Sequence, residues 1–161
     1  MKIYLDTSVI NHVDAPLKPE AESITRSFYR AVRERPEEYE LCISPVVQLE
    51  VNNCPEPKRS KLYDLLNRIE YTALTWSPEV DVLVAAYLSE NVLSDRHVRD
   101  LTHIAYAVIA RCDCITSWNF KHFVNVRTIK RVNTVNAANN YGTILIVSPQ
   151  AIVGEKADEN D

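Results

Sequence analysis

The sequence predicts an α/β protein, a three-layer α/β/α sandwich built on a central parallel sheet. Short apolar runs recur along the chain and alternate with longer segments that carry apolar residues at helical spacing. Hydrophobic strands separated by helices imply parallel pairing, with both faces of the sheet covered. Ser-Pro pairs mark joints between run and helix, in the order of an N-cap followed by proline at the first helical position. Neither an internal repeat nor a linker interrupts the pattern.

Taken in order, Lys2 to Leu5 (KIYL) reads as the first strand and ends abruptly at Asp6-Thr7-Ser8. A charged amphipathic helix is expected from Lys18 to Arg35, with Ile24, Phe28, Ala31 and Val32 at helical spacing and Pro36 beyond its end. Leu41 to Ile43 forms the second strand, and Ser44-Pro45 opens a helix through Asn53. Pro55 to Ile69 reads as a further helix with Leu62, Leu65, Leu66 and Ile69 inward, followed by a strand over Tyr71 to Thr75. Ser77-Pro78 repeats the opening signal for a helix reaching about Asn91. Asp95 starts a long apolar helix over Arg96 to Arg111, and Cys114 to Thr116 is the next strand. Residues 129–141 read as helical at first and turn-like towards Gly142, before a last strand over Ile144 to Val147. The expected organisation is one domain over 1–153 and an acidic, disordered tail over 154–161, where Glu155, Asp158, Glu159 and Asp161 face a single lysine.

Composition removes several classes. At 161 residues, with 46% hydrophobic and 25% charged residues, the chain can bury a core without disulfide or metal staples. No apolar run is longer than that of Val82 to Leu88, which is too short to cross a bilayer, and the N-terminus enters a strand pattern at once, so a cytoplasmic protein is expected. The formal net charge of −4 argues against a non-specific nucleic-acid binder, although much of the acidity lies in the tail. Cys42, Cys54, Cys112 and Cys114 offer a single close pair, so buried small hydrophobes account for them better than zinc. With Gly142 and Gly154 the only glycines, a P-loop and a dinucleotide fingerprint are excluded. Phosphate chemistry here must rest on side chains and metal.

Three carboxylates stand where the pattern does not call for them. Asp6 closes the first strand, at the edge where parallel sheets collect ligands; an N-cap role is the alternative. Glu50 interrupts an apolar face made by Val46, Val47, Val51 and Cys54. Asp100 shares a face with His103, Ile104, Ala107 and Val108, and helix-dipole stabilisation is its alternative. His103 reads as a hydrogen-bonded histidine at the helix–sheet boundary rather than a ligand. Carboxylates brought together repel and remain ionised only beside a cation, and Mg²⁺ suits a site of oxygen donors without Cys or His.

At this point the sequence resembles the PIN domain, and within it the VapC-type toxins of bacterial toxin–antitoxin pairs. The resemblance is carried by Leu5-Asp6-Thr7-Ser8-Val9-Ile10, by Ile43 to Glu50 (ISPVVQLE), by Asp100 to Ala107 (DLTHIAYA), by Ile115 to Phe123 (ITSWNFKHF), and by Tyr141-Gly142 with Ile144 to Pro149. It extends over nearly the whole chain up to Pro149. The family fold is an α/β/α sandwich whose acidic residues bind Mg²⁺ or Mn²⁺ for phosphodiester hydrolysis. The resemblance places the metal ligands at Asp6, Glu50 and Asp100. The family's fourth acidic position falls on Asn119, and a further one sometimes seen falls on His122, so a second ion is in question. Thr7, Ser8 and Asn11 would orient Asp6 or a water. The function so implied is a metal-dependent endoribonuclease with an RNA substrate, an antitoxin partner and a homodimeric state. Lys58, Arg59 and Lys61, then Arg96 and Arg99, then Lys121, Arg127, Lys130 and Arg131 are the runs that could guide RNA. Two other readings stand beside it: a catalytically degenerate PIN-like RNA-binding or scaffold protein, and a receiver-like signalling module, which the absence of a lysine in the last strand opposes.

Overall fold

A computed structural model describes residues 1–154. Five strands form one sheet: β1 (Lys2–Leu5), β2 (Glu40–Ile43), β3 (Thr72–Ala73), β4 (Cys114–Thr116) and β5 (Leu145–Val147), in the spatial order β3-β2-β1-β4-β5. Every pairing is parallel, with Tyr4 opposite Cys42 on one side of β1 and opposite Ile115 on the other. Ile3, Tyr4, Leu5, Cys42, Ile43 and Ile115 are fully buried, as strands covered on both faces must be.

The helices are α1 (Thr7–Asn11), α2 (Pro19–Glu34), α3 (Pro45–Asn52), α4 (Lys58–Leu66), α5 (Pro78–Ser89), α6 (Val98–Ile109), α7 (Val126–Ala138) and α8 (Pro149–Val153). Right-handed crossovers place the helices between β1 and β3 on one face and those between β3 and β5 on the other. The packing agrees: α1 meets α3 and α4, α8 lies on α2, and α5 packs against α6 and α7. The expected three-layer α/β/α architecture, PIN-like in its parallel sheet, is the one observed. Strand order reverses at β1, so the crevice between the carboxyl ends of β1 and β4 is the place where such sheets bind ligands.

Several boundaries differ from the sequence reading, each for a local reason. The strand expected over Tyr71 to Thr75 is reduced to Thr72–Ala73, an exposed edge pair that leaves the sheet after Leu74 N–H donates to the Ile43 carbonyl. The helix expected from Pro55 begins at Lys58, because Pro57 forces its predecessor out of helical geometry. It ends at Leu66, short of Ile69. α5 stops at Ser89 and α6 at Ile109, each followed by a left-handed residue, Asn91 and Arg111. Asp95–His97 forms a separate 3₁₀ turn ahead of α6. α7 starts at Val126 rather than 129, capped by the Asn125 side chain, which accepts from Thr128 N–H at 2.8 Å. The last strand begins at Leu145. α1 and α8 were not anticipated, although Ser148-Pro149 carries the same opening signal as the other two Ser-Pro pairs. Among the described residues, no helix is long and apolar enough to cross a membrane. The expectation for the acidic tail beyond Gly154 falls outside them.

A candidate metal centre at the carboxyl edge

Asp6 follows the last residue of β1, and its backbone N–H donates to Thr116 of β4 at 3.1 Å, which pins it to the crevice. Its backbone has N-cap geometry for α1, but its side chain makes no capping bond. Oδ2 instead accepts from the Ser8 hydroxyl and from Ser117 Oγ at 2.7 Å. The nearest cationic or imidazole partner of Oδ1 among the described residues is His103 Nε2 at 4.0 Å. At 6% exposure this is a carboxylate held by one oxygen, with the other left uncommitted. The capping alternative is thereby set aside.

Glu50 reaches the same place from the body of α3. Thr7 donates its hydroxyl to Glu50 Oε2, and His103 Nε2 lies 3.1 Å from that oxygen. Arg99 Nη1 stands 3.8 Å from Oε1. Burial disfavours the Glu50 charge, but the His103 hydrogen bond and charge, the Thr7 hydroxyl and Arg99 together hold its carboxyl below the usual range. His103 is 1% exposed and completes its hydrogen bonding through Tyr4, whose hydroxyl lies 2.7 Å from Nδ1 and 2.6 Å from Ser44 Oγ. Burial raises the Tyr4 phenol well above its ordinary value, so it stays a proton donor. An ionised Glu50 can only accept, so His103 donates to it from Nε2. His103 is therefore the hydrogen-bonded histidine the sequence predicts, and it also bridges two of the site carboxylates.

Asp100, in the first turn of α6, turns to other partners. Its Oδ2 lies 2.9 Å from His122 Nδ1 and 3.4 Å from His97 Nδ1. The side-chain oxygen of Asn119 accepts from His122 N–H at 3.0 Å, and Asn119 N–H donates to Ser117 Oγ at 2.9 Å. Asp6, Ser117, Asn119, His122 and Asp100 are thus joined in one hydrogen-bonded chain. The carboxylates of Asp6, Glu50 and Asp100 do not share one compact set of donors; among the described residues, the group whose ligand atoms lie within 4.8 Å of one another is His97, Asp100 and His122.

Asp6 stands at a strand end, and Glu50 and Asp100 come from helices, as the sequence places them. One expectation needs correction: the site was expected to hold no histidine, yet His97, His103 and His122 all touch its carboxylates. The sequence reading also lacks Ser117 and His97. A signal for His97 lies in the His97, Asp100, His103 spacing, which lays all three side chains along one side of α6 at its start; Ser117 has no such signal. Asn11 Oδ1 is buried without a partner and does not orient Asp6. Trp118 is a packing residue whose Nε1 donates to Thr25 Oγ1 at 2.8 Å. The four cysteines are free thiols. Of the basic runs, Arg59 and Lys61 are neutralised by Glu56 and Asp14, while Arg99 reaches the site.

Asp6 suits a divalent cation, because its carboxylate keeps one oxygen free of protein hydrogen-bond donors. No family model and no curated sequence matches the chain. The fold is a PIN-like α/β/α sandwich. Among solved structures, the chain is similar to a chain in the crystal structure of VapBC2 from Rickettsia felis bound to a DNA fragment from their promoter. The two superpose with a TM-score of 0.57 at 15% identity, over 91% of this chain and 97% of that one.

Proposed function

We propose that this protein is a Mg²⁺/Mn²⁺-dependent endoribonuclease, the toxin of a toxin–antitoxin pair, with Asp6, Glu50 and Asp100 as metal ligands and Asn119 as the fourth site residue. The observation that carries the reading is Asp6: a buried carboxylate at the strand-order reversal, with Oδ2 held by two hydroxyls and Oδ1 open. A divalent ion held by Asp6, Glu50 and Asp100 would supply an activated water and neutralise charge on the phosphate. The protein's own residues prepare the ground. Ser8 and Ser117 fix the Asp6 rotamer, Thr7 and His103 fix Glu50, and Asn119 holds Ser117 through its backbone N–H. Arg99, exposed beside Glu50, supplies positive charge for the RNA backbone.

The structural similarity to a VapBC2 chain supports an antitoxin protein as partner, and the resemblance supports a homodimer acting in the cytoplasm. Asn119, a neutral residue where the family carries charge, favours one alternative: a PIN-like protein that binds RNA or serves as a scaffold without cutting.

Purified protein incubated with RNA and Mn²⁺ distinguishes the two. Cleavage is expected, and Asp6→Asn and Asp100→Asn are each expected to abolish it while the far-UV circular dichroism spectrum stays native. RNA that is bound and left intact by the wild type assigns the alternative; full activity in both variants removes the metal ligands named above. In cells, expression alone is expected to arrest growth, and Asp6→Asn to relieve the arrest.

A further inference from the structure

We infer that His97, Asp100 and His122 form a binding site for a first-row transition ion, chemically distinct from the all-carboxylate site expected for Mg²⁺. The three ligand atoms lie within 4.8 Å of one another. Both Nδ1 atoms converge on a single oxygen, Asp100 Oδ2, at 2.9 Å from His122 and 3.4 Å from His97. Metal–donor bonds of about 2.1 Å at octahedral or tetrahedral angles put neighbouring donors about 3.0–3.4 Å apart. An ion therefore fits the observed spacing with small shifts.

One carboxylate oxygen faces two imidazole nitrogens whose ring centroids are only 3.8 Å apart, so three potential ligand atoms converge on one point. The supports are fixed beforehand: His122 is held by the bond from its backbone N–H to Asn119, and His97 stands at the N-cap of α6, one turn before Asp100. The side chains are 34%, 23% and 18% exposed for His97, Asp100 and His122, so the positions beyond the three protein ligands open to solvent.

Two imidazoles and one carboxylate select metals by softness. Imidazole nitrogen suits Zn²⁺, Co²⁺, Ni²⁺ and Fe²⁺, whereas Mg²⁺ asks for oxygen donors and keeps its waters. The site is therefore expected to follow the order Mg²⁺ < Mn²⁺ < Co²⁺. Asp100 uses Oδ2 here, and its Oδ1 remains available to the neighbouring carboxylate site. Asp100 belongs to both sites, but the inference does not require that the protein cut RNA.

The test is titration of the metal-free full-length protein with Co²⁺, read by visible absorption and by calorimetry. Saturable binding with ligand-field bands is expected, at least tenfold tighter than Mg²⁺. His97→Gln and His122→Gln should each weaken Co²⁺ binding by tenfold or more, with circular dichroism confirming native folds, and Asp6→Asn should leave the Co²⁺ spectrum unchanged. Co²⁺ added to the wild type should give hyperfine-shifted ring-proton resonances from two directly bound imidazoles, a readout that needs no variant. Unaltered Co²⁺ binding in the double variant His97→Gln/His122→Gln, or no such shifted imidazole resonances, overturns the site. Cleavage of RNA with Mg²⁺ alongside a negative Co²⁺ titration removes this inference alone; a positive titration with no cleavage removes the ribonuclease reading alone.

Discussion

His103 shows how much one side chain can hold together at this edge. It hydrogen-bonds Tyr4 through Nδ1, donates to Glu50 from Nε2 and sits 4.0 Å from Asp6, with almost no solvent contact. His103→Ala would leave the buried Tyr4 hydroxyl with one partner fewer and Glu50 without its donor, so a loss of about 1–3 kcal/mol is expected from the unsatisfied groups, read as a lower urea midpoint. Ser117→Ala tests a different property. It removes one of the two hydroxyls on Asp6 Oδ2, and a residue that orients a metal ligand is expected to cost about 10–100-fold in metal affinity or activity. The buried thiols set an alkaline limit. Burial pushes the Cys114 thiol up from its ordinary 9.0 to about 11. The unfolded chain therefore releases this proton first, and stability falls as pH rises through the interval between those two values, by up to about 1.4 kcal/mol per pH unit. Thermal melts between pH 8 and pH 11 should show the decline, and Cys114→Ala should flatten it.

At the scale of elements, β1 is the piece on which the others depend. It pairs on both sides, and Ile3, Tyr4 and Leu5 are all fully buried. Ile3→Ala is expected to cost about 2–5 kcal/mol, measured by chemical denaturation. In hydrogen exchange, amides of β1 and β4 should be among the last to exchange and those of the exposed pair β3 among the first. These elements also show what could be read from residues alone. The KIYL, LCI and CIT runs announced their strands because burial on both faces leaves no room for polar residues. Ser44-Pro45 and Ser77-Pro78 announced helix starts because proline pre-sets the first helical turn locally, although neither serine side chain makes a capping bond. Asp6, Glu50 and Asp100 stood out because a carboxylate on an apolar face needs a reason. What stayed hidden was set by tertiary contact. Nothing near Ser117 in the chain says that it meets Asp6, and nothing near His122 says that it meets His97. The brevity of β3 likewise follows from its place at the sheet edge, where only β2 remains to hold it.

For the molecule as a whole, a bound ion would add stability by mass action, since the acidic site exists only in the folded chain. Mn²⁺ at a hundredfold its Kd is expected to contribute about 2.7 kcal/mol. That corresponds to a rise of about 5–10 °C in Tm, reversed by a chelator and reduced in Asp6→Asn. The sheet order has one more outcome. Because the opening strand lies in the middle of the sheet, the bond between Asp6 and Ser117 joins positions 111 apart in sequence. A ribosome must therefore deliver about three-quarters of the polypeptide before that contact can form. Until then Asp6 has no fixed orientation, so under the proposed function a nascent chain could not yet act on RNA.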